Sequence, residues 1–348
     1  MDLWHIQCSE LVSSQKVVII DADHSIEDGC EVRPSILTEL GNQTLYKFQV
    51  LVSHKISSAP VYDSALKKYV GMFDYRDIAD YVLMVFKHRE LERVPEDETM
   101  DIRDVVRKAI TMDVNKMSMR VAAGMGLVEC RVDLSKKNPF YSVSADAPLK
   151  EAAEILASGK GVHRLNVMRD GEVVGVLSQT DVVKYLAGLL MKQPELNAFA
   201  SKTLGELGFG NNPVISVNSE APVLEALSLM SAKGISSVAV VDAGSGESLV
   251  GNISMTDIKY ILKQNRYSRL WQTCSHFVSL VLTQEGLQNE GKDRFPVFEV
   301  TLKSSLGFAM RKIIATKSHR VWIIDEDRKL IGVVTLTDVI KHFWSSKK

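Results

Sequence analysis

The sequence predicts an α/β (α+β) fold built from four copies of one unit. The main observation is a seven-residue phrase that begins with Gly, ends with Asp and carries Ser or Thr at its fourth position in three copies. The copies are residues 71–77, 175–181, 251–257 and 332–338. A β-rich apolar run precedes each copy, and an amphipathic stretch opens at each terminal aspartate. Self-similarity of this kind indicates a repeat array.

Each copy of the phrase lies in the same predicted order of elements. The apolar runs predict short buried strands at residues 58–63, 165–168, 237–242 and 321–325. Helices are predicted ahead of three of them, at residues 148–157, 222–232 and 305–315. Pro148 and Pro222 suit a first helical turn, where a missing N–H costs nothing. Further strands, predicted at residues 16–21, 141–143, 214–217 and 297–300, complete a unit of strand, helix, strand, strand, helix.

Short phrases within the repeats resemble a known family. Ser-Ala-Pro at residues 58–60 is followed by Val-Gly-Met at residues 70–72, and a His-Arg pair leads the core strand of the second and fourth repeats. The unit is similar to the cystathionine β-synthase (CBS) domain. Four units in one chain resemble the gamma regulatory subunit of AMP-activated protein kinase and its fungal and plant relatives, over about residues 16–343. The resemblance implies four CBS repeats arranged as two Bateman-type pairs in a flat pseudo-symmetric disc.

The repeats and the stretches between them give the predicted domain boundaries. They are an N-terminal segment (1–15), repeat one (16–88), a linker (89–134), repeat two (135–195), repeat three (196–266), a connecting helical segment (267–293) and repeat four (294–345). Repeat one carries an insertion at residues 33–50, where Pro34, Gly41 and Asn42 break the helical pattern. We interpret the insertion as a surface loop or as an unspliced in-frame intron. An amphipathic stretch at residues 271–282 predicts packing against a repeat pair.

Composition narrows the class of protein. A net charge of -1 gives no reason to expect nucleic acid as a partner. No apolar run approaches the ~20 residues of a membrane span, and residues 1–14 lack the pattern of a signal peptide. The four cysteines are far apart and form no C-x-x-C motif, which predicts a reducing compartment and no structural zinc. We therefore expect a cytoplasmic location, with the nucleus left open.

The chemistry of the phrase points to a nucleotide. An ionised aspartate offers two acceptor oxygens, enough to take hydrogen bonds from the 2′ and 3′ hydroxyls of a ribose. The neighbouring Ser and Thr supply hydroxyls, and the helix that follows directs unpaired N–H groups toward an anion. Each His-Arg pair adds positive charge, and arginine can hold a phosphate through two hydrogen bonds. Together these groups predict pockets for an adenosine phosphate.

A structural reading of the same residues stands beside this one. An aspartate at a helix start stabilises the helix as a cap without any ligand. The glycine of the phrase could serve a tight turn between two strands. The His-Arg pairs could be ordinary polar residues at a strand edge. We favour the ligand-binding reading because cap, hydroxyls and basic pair occur together in the second and fourth repeats.

The copies differ, and their differences rank the candidate nucleotide-binding residues. The fourth repeat ranks first; its candidates are Thr335, Thr337, Asp338, His319 and Arg320. The third and second repeats follow, with Ser254, Thr256, Asp257, and with Ser178, Thr180, Asp181, His163 and Arg164. In repeat one Asp74 replaces the hydroxyl residue, which compromises Asp77, and phosphate would be repelled unless Arg76 offsets that charge.

The resemblance also implies how these residues share a pocket. In the family each pocket is formed across a pair of repeats. Asp338 would hold the ribose, and His319 and Arg320 would meet the phosphates. The adenine side would be lined by Ile215, Ile235, Ser236 and Ser237. Asp77 would face the pocket that carries His163 and Arg164. Ser57 and Gly234 stand where the kinase gamma subunit has basic residues, which puts phosphate capture from those two positions in doubt.

No arrangement typical of an enzyme competes with this interpretation. Residues 158–161 lack the spacing of a phosphate loop, and no nucleophile-elbow, zinc-protease or paired-cysteine motif occurs. We expect a protein that is not an enzyme, that holds no cofactor or metal, and whose regulatory ligands are AMP, ADP or ATP.

Two functions remain, and they differ in the partner. The first is an adenine-nucleotide-sensing gamma-type subunit of a Ser/Thr kinase, with catalytic (alpha) and scaffold (beta) subunits as partners. The alternative is a regulator of the fungal Sds/Moc type, which is linked to restraint of type 2A phosphatase in stress and cell-cycle signalling. Residues 291–298 and 315–320 favour the alternative. A scaffold that has lost its ligands is a third reading.

Overall fold

Four three-stranded sheets carry the four repeats in the computed structural model. It describes residues 4–22, 50–87, 138–211, 213–242, 244, 247–262, 266–288 and 299–345. In repeat one the sequence also predicts a helix that begins at Ser25. That helix, most of the insertion at 33–50, the linker at 89–134, Cys30 and Cys130 lie outside these ranges. In every sheet the middle strand pairs in parallel with the first strand and antiparallel with the third.

The strands and helices follow the predicted order. The strands are β1 (Ile20–Asp21), β2 (Ser58–Asp63), β3 (Lys68–Asp74), β4 (Ser142–Ser144), β5 (Arg164–Arg169), β6 (Glu172–Ser178), β7 (Ser216–Asn218), β8 (Ser237–Asp242), β9 (Ser248–Ser254), β10 (Glu299–Val300), β11 (Arg320–Ile324) and β12 (Leu330–Thr335). The helices used below are α1 (Cys8–Val12), α2 (Tyr75–Lys87), α3 (Leu149–Ala157), α4 (Gln179–Leu190), α5 (Pro194–Ala200), α6 (Val223–Lys233), α7 (Lys259–Leu262), α8 (Cys274–Gln288), α9 (Leu306–Ala315) and α10 (Leu336–Ser345). Short 3₁₀ helices lie at Met255–Ile258 and Tyr267–Trp271.

Most predicted elements are confirmed, with small differences at their ends. Pro148 and Pro222 are N-caps in extended conformation and not first helical residues. The strand predicted at residues 16–21 is wrong for its first four residues, since β1 contains only Ile20 and Asp21. These pair with Val61 and Tyr62, directly after a proline that has no N–H to donate to a ladder. The strand predicted at 214–217 likewise begins only at Ser216, so Ile215 precedes it.

Each repeat has two neighbours, one through its helices and one through its sheet. The helices of repeats two and four share one hydrophobic core, and those of repeats one and three share another. The sheet of repeat one contacts that of repeat two, where the Asn166 side-chain amide donates to the Met72 sulfur at 3.3 Å. The sheets of repeats three and four meet where Trp322 packs with Ala239 and Leu249. This arrangement brings one end of all four repeats together.

The glycine of the repeated phrase does not form a turn. Gly175, Gly251 and Gly332 lie inside the third strand of their sheets, and none has a positive φ. A Cβ added at Gly175 would collide with Val12 of α1, and one added at Gly251 would lie 2.8 Å from a methyl carbon of Val278 in α8. The tight-turn interpretation is therefore wrong for these copies. Glycine is needed here because a covering segment packs directly on the strand.

The covering segments dock in the same way on three repeats. Gln7, Thr273 and Thr203 each form an isolated bridge with the N-cap residue of a repeat's first helix. Backbone hydrogen bonds follow, such as Cys8 N–H to the Ala147 carbonyl at 2.9 Å and Cys274 N–H to the Ala221 carbonyl at 2.8 Å. The amphipathic stretch predicted at 271–282 thus packs on repeat three. None of the helices in the described ranges combines the length and apolar character that a bilayer crossing demands.

Replacing Gly175 with Ala is expected to lower the free energy of unfolding by about 1–3 kcal/mol, because the added methyl group overpacks the contact with Val12. Urea denaturation of both proteins measures the difference. In the double variant Gly175→Ala, Val12→Gly all the colliding atoms are gone, so its loss should be smaller than the sum of the losses in the two single variants.

Gly188→Ala is the matched control. Gly188 lies within α4, and an added Cβ would have no atom within 4 Å. Because alanine has the higher helix propensity, this control should be neutral or stabilising by up to ~1 kcal/mol. A Gly175→Ala protein as stable as the control would contradict close packing at the strand.

Candidate functional site

The four copies of the phrase converge on one central cavity of ≈ 580 Å³. Every repeat contributes the residues that end its third strand and begin the following helix, together with residues that lead into its middle strand. Of the described residues that line it, five are Lys or Arg and two are Asp; they are Arg76, Arg164, Lys259, Lys317, Arg320, Asp74 and Asp257. With neutral histidines, the cavity is therefore positively charged.

Most of the predicted nucleotide-binding residues lie in this cavity wall. Those that line it are His163, Arg164, Ser178, Thr180, Ile235, Ser236, Ser237, Ser254, Thr256, Asp257, His319, Arg320, Thr335 and Thr337. Four predicted residues are not among the lining residues, namely Asp77, Asp181, Asp338 and Ile215. Ile215 instead packs against the core of repeats one and three.

The aspartate that ends each phrase lies in the first turn of the following helix and caps that helix. One carboxylate oxygen, Oδ2, accepts the backbone N–H of the residue three positions earlier in all four repeats. The distances are 2.7 Å for Asp77, 3.0 Å for Asp181, 2.7 Å for Asp257 and 2.8 Å for Asp338. The hydroxyl of Thr335 adds a 2.6 Å hydrogen bond to the same Asp338 oxygen. The cap thus uses Oδ2, and the ribose role predicted for Asp338 would fall to Oδ1.

Arg320 presents a cation at the junction of repeats three and four. Its Nη2 donates to the Ser236 hydroxyl at 2.7 Å, and its Nη1 donates to the Ser237 carbonyl at 3.1 Å. Its Nε is buried and has no hydrogen-bond partner. Across the described ranges, no carboxylate lies within ion-pair distance of this guanidinium. Burial lowers the pKa of Arg320 to about 10, although Asp338 opposes the shift. A bound anion would offset this desolvated charge.

Arg164 occupies the corresponding place at the junction of repeats one and two, but with a carboxylate beside it. Its Nη2 donates to the Ser57 hydroxyl at 2.7 Å, and its Nη1 lies 4.0 Å from Asp74 Oδ2. Arg76 holds the same Asp74 oxygen through Nε at 3.0 Å and Nη2 at 2.8 Å. Burial would raise the pKa of Asp74, but Arg76 holds that pKa below its ordinary value. Burial and then the charge of Asp74 raise the pKa of Asp77.

The two histidines stay neutral at physiological pH. Burial, followed by the nearby charge of Arg76, lowers the pKa of His163 to about 4. Burial, followed by the charges of Arg164 and Arg320, lowers the pKa of His319 to about 4, although its side chain remains exposed to the cavity. The positive charge of the cavity therefore comes from Lys and Arg, not from the histidines as the sequence suggested.

Sequence reasoning missed Gln179, which links repeats two and four inside the cavity. Its Nε2 donates to Thr337 Oγ1 at 2.8 Å and to the Leu156 carbonyl at 3.0 Å, and its Oε1 accepts from His163 Nδ1 at 3.2 Å. The other copies carry Tyr, Met and Leu at this fifth position. The signal available in the sequence was a polar residue at a position that is apolar or aromatic in the other three copies.

Asn252, Lys259 and Lys317 were also missed. All three line the cavity, and Asn252 Oδ1 is a buried acceptor without a hydrogen-bond partner. No cluster of His, Cys, Asp and Glu suited to a metal ion occurs among the described residues. Cys8 and Cys274 are free and buried.

Comparison with known proteins agrees with this geometry. The sequence profile of the CBS domain matches residues 132–188, 205–264 and 294–345. These matches fall on repeats two, three and four, and the described part of repeat one shares their sheet order. Repeats two, three and four are therefore CBS domains.

Its relatives include fungal proteins called Sds23. Protein sds23 of Aspergillus niger is 34% identical over 327 residues, which are 93% of this chain and 57% of that protein. Protein sds23 of Neosartorya fischeri is 38% identical over 262 residues, which are 74% of this chain and 45% of that protein. The chain thus spans about half the length of the curated relatives it matches.

Solved structures share the fold at low sequence identity. A Methanocaldococcus jannaschii protein, described as a candidate archaeal homologue of g-AMPK, is 14% identical with a TM-score of 0.62, and the match covers 97% of this chain and 100% of that one. An uncharacterized conserved protein from Pyrococcus horikoshii is 15% identical with a TM-score of 0.50, covering 97% and 99%. At these identities the likeness shows the fold alone.

The depressed pKa of His163 makes stability depend on pH. The folded-state pKa of about 4 lies below the ordinary 6.5, so the unfolded chain binds more protons between these values. The contribution is complete above pH 6.5 and is lost as the pH falls toward 4. His163→Gln should therefore flatten the fall of the thermal midpoint between pH 6.5 and 4.

The matched control is His276→Gln, at an exposed position. It should keep the wild-type slope. If His163→Gln loses stability toward pH 4 as steeply as the wild type, neutral burial of His163 is refuted.

Proposed function

We propose that the chain is a non-catalytic regulator of the Sds/Moc type, which binds an adenine nucleotide in the central cavity and restrains a type 2A protein phosphatase. The observation that carries the nucleotide part is Arg320, a desolvated guanidinium with no carboxylate partner in the described ranges, facing a positively charged cavity. The partner is inferred from relatives that bear the name Sds23.

The cavity suits a nucleotide in size and in chemistry. Its ≈ 580 Å³ lies within the range of roughly 300–1,000 Å³ typical of small-molecule pockets. Arg320 and the hydroxyls of Ser254 and Thr256 would receive phosphate oxygens. In this proposal the base lies against Ile235, while Asp338, which is not among the lining residues, keeps its role as the cap of its helix. AMP, ADP and ATP all carry these groups.

Binding would regulate the protein by favouring one arrangement of the repeats. A ligand shifts an equilibrium only by its difference in affinity between two states. The proposed phosphate contacts come from repeats three and four at once, since Arg320 already bonds to Ser236 and Ser237. A nucleotide at this junction would fix the two repeats relative to each other. A partner bound to the surface of these two repeats would then respond to the ligand.

A second candidate is a gamma-type subunit of a Ser/Thr kinase of the AMP-activated class, with alpha and beta subunits as partners. It is supported by the likeness in fold to the archaeal protein whose description names g-AMPK. We rank it below the Sds/Moc type because the sequence relatives carry the other name. The proposed location for either function is the cytoplasm, with the nucleus left open.

Arg320→Gln should weaken binding of AMP, ADP and ATP by about 10- to 100-fold, the loss expected for charge-assisted hydrogen bonds to phosphate. Isothermal titration calorimetry on the purified chain measures it. Arg328→Gln is the matched control, because Arg328 is exposed and pairs with Glu299 away from the cavity. If the wild-type protein gives no heat with any of the three nucleotides at millimolar concentration, the nucleotide proposal is wrong.

The partner is tested by affinity purification of the tagged chain with mass spectrometry, followed by a phosphatase assay with the recovered complex. Phosphatase 2A subunits, with activity that rises when the chain is removed, are the expected result. Recovery of kinase alpha and beta chains instead would favour the second candidate and overturn the first.

A further inference from the structure

The two sheet junctions hold one arginine each in matching positions. Arg164 Nη2 donates to the hydroxyl of Ser57, and Arg320 Nη2 donates to the hydroxyl of Ser236, both at 2.7 Å. Each arginine is the first residue of the middle strand of its repeat. Each serine directly precedes the middle strand of the neighbouring repeat. Both guanidinium groups line the same cavity.

The junctions differ in what stands opposite the arginine. The fourth position of the phrase is Asp74 in repeat one and Ser254 in repeat three. Asp74 is 5% exposed and lies between Arg76 and Arg164, whereas the Ser254 hydroxyl pairs with that of Thr256 at 2.7 Å. At the junction of repeats one and two a carboxylate therefore lies beside the arginine, whereas at the other junction the same position carries a hydroxyl and no described carboxylate lies within ion-pair distance of Arg320.

The contacts of Asp74 are those that arginines offer to a phosphate. Arg76 donates to it from Nε and Nη2 and also from its backbone N–H, at 2.7 Å to Oδ1. The Nη2 of Arg76 additionally donates to Asn138 Oδ1 at 2.9 Å, which fixes the guanidinium in place. A planar guanidinium binds carboxylate and phosphate in the same bidentate way.

We propose that Asp74 is an internal anion that occupies the phosphate position at the junction of repeats one and two. Nucleotide phosphate then binds only at the junction of repeats three and four, one site per chain. The inference rests on the proposed nucleotide function for the identity of the ligand. The placement of the Asp74 carboxylate between Arg76 and Arg164 rests on the observed contacts alone.

Replacing Asp74 by Ser, the residue of the second and third repeats, tests this proposal. The variant leaves Arg76 and Arg164 without the carboxylate between them, which destabilises the fold. An added anion should restore them. The thermal midpoint of Asp74→Ser should therefore fall in sodium chloride, and it should rise further than that of the wild type when sulfate replaces chloride at equal ionic strength.

Three comparisons make the outcome decisive. Asp74→Ser, Arg164→Gln should lose the extra sulfate shift, because one of the two cations that would hold the anion is gone. Asp74→Ala also vacates the position and serves if the serine variant does not fold. Calorimetry with ATP should change from one site in the wild type to two in Asp74→Ser.

The failures of the two proposals can be told apart. Wild-type protein that binds no nucleotide overturns the proposed function, while the sulfate comparison still tests Asp74. Equal sulfate shifts for wild type and Asp74→Ser, with the ATP stoichiometry unchanged, overturn the role of Asp74 and leave the proposed function standing.

Discussion

The hydrogen bond from the aspartate of each phrase to a backbone N–H three residues earlier is the interaction on which the site depends. It recurs in all four repeats at 2.7 to 3.0 Å. It fixes the turn from the third strand into the following helix, and that turn presents the fourth to sixth residues of the phrase to the cavity. Without it the hydroxyls of Ser254, Thr256 and Thr335 would have no defined position. The carboxylate thus secures the turn that presents these hydroxyls, and the cap uses Oδ2 alone.

A second constraint is the close approach of a covering segment to the sheets of repeats two, three and four. Gly175 and Gly251 permit contact with Val12 and Val278, which come from segments before repeat one and between repeats three and four. Such contacts hold these sheets at their third strands, while the residues that end the same strands line the cavity.

The fold could be predicted from sequence because its signals are local and occur four times. β2 and β8 were predicted with their observed bounds, since an apolar run between turns needs no distant information. The start of β1 was missed, because a ladder also requires a partner strand with an N–H in register.

The site was predictable only in part. Hydroxyl and basic residues were found because they recur at fixed positions, but Gln179 bonds across the cavity to Thr337, 158 positions away in sequence. A single amino-acid sequence does not show which distant residues pack together, so it cannot reveal such a contact. The meeting of four phrases in one cavity depends in the same way on the pairing of helices in the two cores.

The shared cavity makes the charge at one junction matter to the other. The charges of both Arg164 and Arg320 lower the pKa of His319, so this ring lies within the field of both junctions. An anion at Arg320 would reduce the positive potential at His319, and the energetic cost of protonating this ring would fall. By linkage, protonation of His319 would in turn strengthen the hold on that anion. Asp74 already supplies the negative charge on the Arg164 side, so the response of the cavity to an added anion is concentrated at the junction of repeats three and four.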